Sequence, residues 1–470
     1  MACAAREGYE TVNIGTNLAS LLLDHPFADT DELVHTPSRS LTAGSVRALA
    51  REVAAGLTIE PGQAVAVQLP NGPELVAAMV GVWLAGGVYV PVNPRSPSTE
   101  VDAVLAVTRP AAVVTEAGIA HRDDAMSYPE GVAFVMWTSG TTGAPKAIQH
   151  THNAYLELLD RVLGPLRGNG PDGNSTAARP SPNLIPVSMA LNAGLYNVLF
   201  GLRAGAPLVI MDDFEPGEFA ALVRRFEIRS TVLPPAAMAM LTDSSVTDLT
   251  PLKYVRSITA PLSPLQAERF FAKFGVYVLN GYGQAEIGEV IGWTAADAKA
   301  YPEKVGAIGR PHRGVDIRVD ADGHLLVRPP NTAIGIEDRL DADGYLDTGD
   351  LARIDSDGFV WIDGRASDVI NRGGNKVFPE AVEEVLRLSP GVDDVAVVGA
   401  RDDRLGEVPV AFLVGRAVSD DELRALCREH LVAYKVPAEF RWIDAIPRSE
   451  IGKVLRRELV RLFTPRDPTS

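Results

Sequence analysis

Ala133-Phe-Val-Met-Trp-Thr-Ser-Gly-Thr-Thr-Gly-Ala-Pro-Lys-Ala-Ile-Gln149 is the stretch on which the reading of this chain turns. Phe134 to Trp137 is apolar and β-prone. It breaks into a loop that carries four hydroxyl residues (Thr138, Ser139, Thr141, Thr142), two glycines (Gly140, Gly143) and one lysine (Lys146). Glycines let backbone N–H groups turn inward as a concave donor array, hydroxyls add donors, and a lysine supplies full charge; such a loop suits a polyphosphate. The generic P-loop is absent, because Lys146 follows Ala144-Pro145 rather than a glycine, so this is not a Walker-type ATPase. By composition alone, a Gly/Thr-rich surface turn after a strand accounts for the loop equally well.

The wording is more specific than the composition. Thr-Ser-Gly-Thr-Thr-Gly-Ala-Pro-Lys resembles the phosphate-loop signature of the adenylate-forming superfamily, which includes acyl-CoA synthetases, adenylation domains of peptide synthetases and luciferases. The resemblance implies that Thr138, Ser139, Gly140, Thr142 and Gly143 contact the nucleotide, and that Thr141 and Lys146 serve catalysis beside the phosphates.

With 470 residues the chain is too long for one ordinary core, and 46% hydrophobic residues are enough to fill two or three. A net charge of −16 argues against a nucleic-acid or anionic-membrane surface. The only cysteines are Cys3 and Cys427, so neither a disulfide framework nor a zinc site is expected, and a reducing cytoplasm fits. The N-terminus lacks the basic region and apolar core of a secretory signal. Leu75 to Val92 runs without a charge and has the length of a membrane span, but Gly86-Gly87 divides it into helix, turn and buried strand, so no span is expected.

From about residue 15 to 130, helical patterns such as Leu41 to Ala55 alternate with β-rich runs such as Ala64 to Gln68 and Ala111 to Thr115. Alternation of this kind predicts βαβ units and a largely parallel sheet, with ligands near strand ends. The fold class expected is therefore α/β. His150 and His152 find no third metal ligand nearby and are assigned helix-start or surface roles. Residues 164 to 182 read as an exposed loop. Asn183 to Met211 reads as strand, helix and strand; its apolar character is what core packing requires, and the resemblance implies part of an acyl pocket. Thr231 to Pro235 and Ile258 to Leu262 are similar to further pocket and adenine-site segments, and either could be an ordinary strand end. Family members that take α-amino acids use an aspartate in the first of these regions. No acid lies between Pro186 and Asn197, so an amino acid substrate is not expected.

Val276-Tyr-Val-Leu-Asn-Gly-Tyr-Gly-Gln-Ala-Glu-Ile-Gly-Glu289 reads as a strand ending at Asn280 and a flexible turn at Gly281-Tyr282-Gly283. By itself Glu286 is an ordinary solvated glutamate. The stretch resembles the family's aromatic-Gly-x-Thr/Ala-Glu motif, which implies that Tyr282 stacks on adenine and that Glu286 is the metal residue, holding the Mg2+ that bridges ATP phosphates. Residues 305 to 362 change to short strands with tight Asp-x-Asp-Gly turns, which lack the bidentate glutamate of calcium loops and predict a β-rich subdomain. Within it, Tyr345 to Asp350 is similar to the family's ribose motif, implying that Asp350 accepts from both ribose hydroxyls.

Asp363-Gly-Arg365 marks the expected boundary between an N-terminal domain (1–364) and a C-terminal α+β domain (365–470). The resemblance implies that Arg365 also touches ribose, that the residue two later is the hinge of a mobile domain, and that Gly373-Gly374 lines the thiol tunnel. The hinge position, usually Asp or Lys, is Ser367 here, with Asp368 next, which leaves the pivot open. Near the end, Ile446 to Leu459 carries Lys453 on a glycine turn before an amphipathic pattern. That description suits any surface lysine, and the wording matches the family's mobile catalytic lysine.

Together these matches imply an enzyme that converts a small carboxylic acid and ATP to an acyl-adenylate and pyrophosphate, then passes the acyl group to a thiol. Coenzyme A is the acceptor expected, with a separate carrier protein or an amine as alternatives. No side-chain nucleophile is required, in keeping with the lack of a convincing Ser-His or Cys-His pair. Rival readings are a non-catalytic nucleotide-binding sensor of the same fold and a plain ATPase or kinase, which would release ADP.

Overall fold

The computed structural model describes residues 17–138, 146–166, 181–258, 260–416, 418–448 and 454–463. Helix and strand alternate early in the chain as the sequence pattern predicts, with helices over Ala43–Gly56 and Pro73–Leu84 and strands over Ala64–Gln68, Val88–Pro91 and Ala112–Thr115. Thr42 starts the first of these helices, its hydroxyl accepting from the Ser45 amide at 3.2 Å. The two helices pack closely at Gly81, where a Cβ would stand 2.7 Å from the Ala50 carbonyl oxygen.

The uncharged stretch after Leu75 is resolved as that second helix, a Gly86 turn at φ +78° and the strand Val88–Pro91. Among the described residues no helix is long and apolar enough to cross a membrane.

These strands join Gly118–His121, Val132–Thr138 and Lys146–Thr151 in a six-stranded sheet whose centre is parallel and whose two edges are antiparallel. A nine-stranded sheet has the same plan. Five of its neighbouring pairs, from Glu32–His35 through Leu208–Ile210, Asn183–Ile185, Ser230–Val232 and Tyr254–Ser257 to Tyr277–Gln284, are parallel. Its edges, Ser40–Thr42 and the pair Gly288–Gly292 with Arg310–Pro311, are antiparallel. The expectation of largely parallel sheets is met at their centres. The edges differ because tight turns, at Gly118 and Gly288 for example, return the chain beside the strand it has just left.

Strand Val132–Thr138, whose last residue opens the candidate phosphate-binding stretch, is anchored in the core. Trp83, 2% exposed, donates its indole N–H to the Ala133 carbonyl at 2.7 Å, and Phe134 packs against the rings of His150 and Tyr155. Thr138 and Lys146 are cross-strand partners at the ends of their antiparallel strands.

Strands Asp316–Val319, His324–Arg328, Leu346–Ile354 and Val360–Arg365 form a separate antiparallel sheet, the β-rich subdomain expected from the turn spacing. Each Asp-x-Asp-Gly is a turn closed by its first aspartate. Asp320, Asp341 and Asp355 each accept two backbone N–H groups, and Gly323, Gly344 and Gly358 take φ of +91°, +80° and +81°. The remaining strands, from Ile370 onward, make their own sheet against helices Pro379–Leu386 and Asp420–His430, with helix Arg456–Phe463 beside strand Val392–Asp402.

One sequence expectation is corrected. The strand that begins at Tyr277 does not stop at Asn280 but runs to Gln284, exchanging its parallel neighbour for an antiparallel one at Gly281. Glycine permits this. A Cβ at Gly283 would lie 2.0 Å from the Gly288 carbonyl oxygen, so Gly283-Tyr282-Gly281 is a closely paired hairpin arm rather than a flexible turn. Gly283→Ala is expected to force the two strands apart at a cost of about 1–3 kcal/mol, read as a lowered denaturation midpoint, and to weaken nucleotide binding through Tyr282. An unchanged midpoint would contradict the packing seen here.

Candidate functional site

Asp350 occupies the centre of the site. It is 4% exposed, on strand Leu346–Ile354, and its cross-strand partner is Arg365. That register places Arg365 Nε 2.7 Å from Asp350 Oδ1, while the Tyr282 hydroxyl donates to Oδ2. Burial first, and then the Asp350 charge, push the Tyr282 phenol well above its usual range, so it remains a donor. Gln284, two residues on, donates to the Thr348 carbonyl at 2.7 Å and ties the Tyr282 strand to the Asp350 strand. Two residues assigned separately from sequence, Tyr282 and Arg365, therefore converge on the carboxylate of a third.

Asp350→Ala is expected to weaken AMP binding by roughly 10- to 100-fold, the scale of one or two charge-assisted hydrogen bonds. Isothermal titration with AMP measures it. Binding as tight as in the parent protein would remove Asp350 from the site.

Glu286 lies in the turn between strands Tyr277–Gln284 and Gly288–Gly292. Its backbone carbonyl accepts from the Ala333 amide at 2.8 Å, and the next residue, Ile334, donates to the Gln149 carbonyl at 2.9 Å. Segment 333–334 thus joins the Glu286 turn to strand Lys146–Thr151. His150, on that strand, sits beside Ala285 and Glu286. Burial is the main reason its pKa falls to about 4. His150 is a core residue stacked on Phe134, and His152 begins helix His152–Leu166 and accepts the Leu18 amide at 3.1 Å. Both the helix-start and the surface assignment are thereby corrected for His150, a buried residue of strand Lys146–Thr151.

Glu286 Oε1 is paired with Arg339 Nη1 at 2.6 Å, a contact no sequence motif announced. The donor chemistry suits a hard cation, with a mostly buried carboxylate already facing positive charge. No cluster of three or more potential metal ligands occurs among the described residues, so most of the ligands of a metal held here would have to come from phosphate and water.

Gly373-Gly374 forms a two-residue hairpin between Ile370–Arg372 and Asn375–Val377, both glycines at positive φ, with the Asn371 side chain accepting from the Gly374 amide at 3.1 Å. Ser367 and Asp368 lie in a single 3-10 turn after Arg365, and the Ser367 hydroxyl bonds Asp368 at 3.0 Å. Ser139, Gly140, Thr141, Thr142, Gly143 and Lys453 lie outside the described residues, as do the side chains of Thr138 and Lys146.

The family profile described as AMP-binding enzyme matches residues 25–128 and 116–336, and that described as AMP-binding enzyme C-terminal domain matches residues 381–453. The chain belongs to the AMP-binding enzyme family. Among the relatives of this AMP-binding enzyme, 4-coumarate–CoA ligase 3 of Oryza sativa subsp. japonica is 30% identical, over 89% of this chain and 87% of its own length. A putative acyl–CoA ligase, YdaB, of Bacillus subtilis strain 168 is 26% identical over 94% of this chain and 97% of that protein. Among solved structures, the amide bond synthetase McbA from Marinactinospora thermotolerans superposes with a TM-score of 0.82 at 26% identity, covering 95% of this chain and 99% of that one.

Proposed function

We propose that this AMP-binding enzyme is an AMP-forming acid–thiol ligase, which activates a small carboxylic acid with ATP and transfers the acyl group to coenzyme A. The observation that carries the proposal is the convergence of Tyr282, Asp350 and Arg365, with Glu286 joined through residues 333–334 to the strand that returns from Lys146. In this reading Asp350 and Arg365 hold ribose and Tyr282 lies against adenine. Thr138, Ser139, Gly140, Thr142 and Gly143 receive the phosphates.

A carboxylate is a poor acyl electrophile, because oxide is a poor leaving group. Attack of the acid oxygen on the α-phosphorus of ATP, with pyrophosphate departing, exchanges that leaving group for AMP. The step needs charge stabilisation and alignment rather than a protein nucleophile. Lys146 and Thr141 act on the phosphates and Lys453 on the transferring phosphoryl group. Magnesium, held by Glu286, neutralises phosphate charge when bound.

In the second step a thiolate attacks the acyl carbon and AMP departs, with Gly374 beside the thiol path and the C-terminal domain, from residue 365, turning at the segment Arg365 to Asp368. A cytoplasmic setting supplies both ATP and coenzyme A. Coenzyme A as acceptor is favoured by the curated relatives, which are CoA ligases over nearly their whole length. An amine acceptor is the second reading, since the solved neighbour McbA is an amide bond synthetase.

Carboxylate-dependent exchange of labelled pyrophosphate into ATP tests the first step. We expect exchange with an aryl, short-chain or fatty acid pool and none with an amino acid pool. Release of ADP instead of AMP would overturn the proposal. Adding coenzyme A, or an amine, to an active mixture identifies the acceptor by its product.

A further inference from the structure

The hairpin that carries Tyr282 and Glu286 holds a second charged group on its return strand. Glu289 is paired with Arg256, from strand Tyr254–Ser257, and its Oε1 lies 3.1 Å from His312 Nε2. Glycines on both paired strands make room for it. A Cβ at Gly281 would be 2.9 Å from Glu289 Oε1 and one at Gly292 2.7 Å from it. Gly281 directly precedes Tyr282, so this set lies one residue from the proposed adenine-binding side chain.

Tyr196, on helix Asn192–Arg203, and Arg161, on helix His152–Leu166, face the same set. Burial first, then the negative charge of Glu289, raises the Tyr196 phenol, while Arg256 and Arg161 act in the opposite sense. Tyr196 Oη and Arg161 Nη1 are both buried and neither has a hydrogen-bond partner among the described residues. A buried phenol and a buried guanidinium N–H, both donors, thus have no acceptor among the described residues. Around them are rings. Tyr155 meets Tyr196 edge-on at 6.4 Å and Phe200 stacks on it at 5.9 Å. Two carboxylates already serve the two guanidiniums: Glu289 is paired with Arg256, and Glu157 acts on Arg161, although burial outweighs it.

We propose that Tyr196 and Arg161 form the far end of the acid site, and that the acid is a flat, ring-bearing one whose end distant from the reacting carboxylate carries an uncharged oxygen accepting hydrogen bonds from both. The inference rests on the acid-activating reading above. The carboxylates already present disfavour a second carboxylate on the acid, and the aromatic lining favours a ring. A site built around unpaired donors discriminates strongly, because an acid lacking the oxygen leaves both of them unsatisfied. A purely apolar pocket would not.

The test uses the full chain with ATP, magnesium and acids in matched pairs: benzoate with 4-hydroxybenzoate, cinnamate with 4-hydroxycinnamate, and 3-phenylpropionate with its 4-hydroxy analogue, plus 4-carboxycinnamate as the charged arm. In the pair that fits, the oxygenated acid is expected to show at least about tenfold higher kcat/KM in pyrophosphate exchange. Tyr196→Phe is expected to abolish that preference by lowering the oxygenated acid alone toward its plain partner. Its melting temperature should equal or exceed the parent's, since an unpartnered buried hydroxyl is removed. Equal use of both members, a preference for the dicarboxylate, a preference that survives Tyr196→Phe, or a melting temperature lowered by many degrees would each overturn the inference while leaving acid activation intact. Absence of exchange with every acid, in protein that binds AMP, would instead overturn the acid-activating reading and this inference with it.

Discussion

Lys453→Ala is expected to slow acyl-adenylate formation by about 100- to 1,000-fold, the loss typical of removing one preorganised donor from a transition state, while ATP affinity is largely kept. Three positions further on, the described chain is firmly held. Arg456, at the start of helix Arg456–Phe463, is bound to Glu383 at 2.7 Å, Glu380 at 2.9 Å and Asp368 at 3.2 Å. Three carboxylates therefore tie this helix to helix Pro379–Leu386 and to the turn after Arg365. A lysine is a flexible point charge, which suits a phosphoryl group whose negative charge shifts toward the leaving pyrophosphate. Rapid-quench measurement of acyl-adenylate in a single turnover checks the effect. A variant supplied with synthetic acyl-adenylate should still form thioester, because the second step no longer needs the lysine. Undiminished adenylation would refute the role.

Glu289→Ala is expected to be the most destabilising single change in the site region, at about 3 kcal/mol, because it strands the Arg256 guanidinium without its counter-ion. Glu289 is 9% exposed and Arg256 25%, which puts the figure at the low end for a buried pair. Glu289→Gln, which retains hydrogen-bonding atoms, should cost less. Urea denaturation of the three proteins measures both, and equal stability of the alanine variant would contradict a buried ion pair.

The same residue sets a pH dependence. Burial alone would raise the Glu289 carboxyl, but Arg256 and His312 outweigh it and hold it below its ordinary 4.5. A carboxylate depressed in the folded state contributes stability that is complete above its unfolded pKa and is lost as pH falls through the lower folded value. Parent protein should therefore lose more stability than Glu289→Gln as pH is taken down from about 4.5. Parallel pH curves would show that the pair does not survive in solution.

Much of the architecture was legible because it depends on local chemistry. The division of the uncharged stretch at Gly86, the Asp-x-Asp-Gly turns and the alternation that makes parallel sheets all follow from conformational preferences of a few adjacent residues. The motifs bearing Tyr282, Glu286, Asp350 and Arg365 could be read for the same reason, since each is a short run whose residue types already suit a ligand. The strand through Gly281 to Gln284 was misread as a turn, because glycine pairs mark both flexible turns and places where another backbone comes close, and only the neighbouring strand distinguishes them.

What the sequence by itself determined is thus most of the elements, the family and a set of candidate nucleotide-binding side chains. Tertiary structure alone decided their partners. Arg339 on Glu286, Arg256 and His312 on Glu289, and Arg456 across Asp368, Glu380 and Glu383 join segments from 23 to 88 residues apart. Arginine and histidine at such separations carry no local pattern. The orphaned donors of Tyr196 and Arg161 are likewise invisible in one dimension, because a missing hydrogen bond is a property of the surroundings and not of the residue.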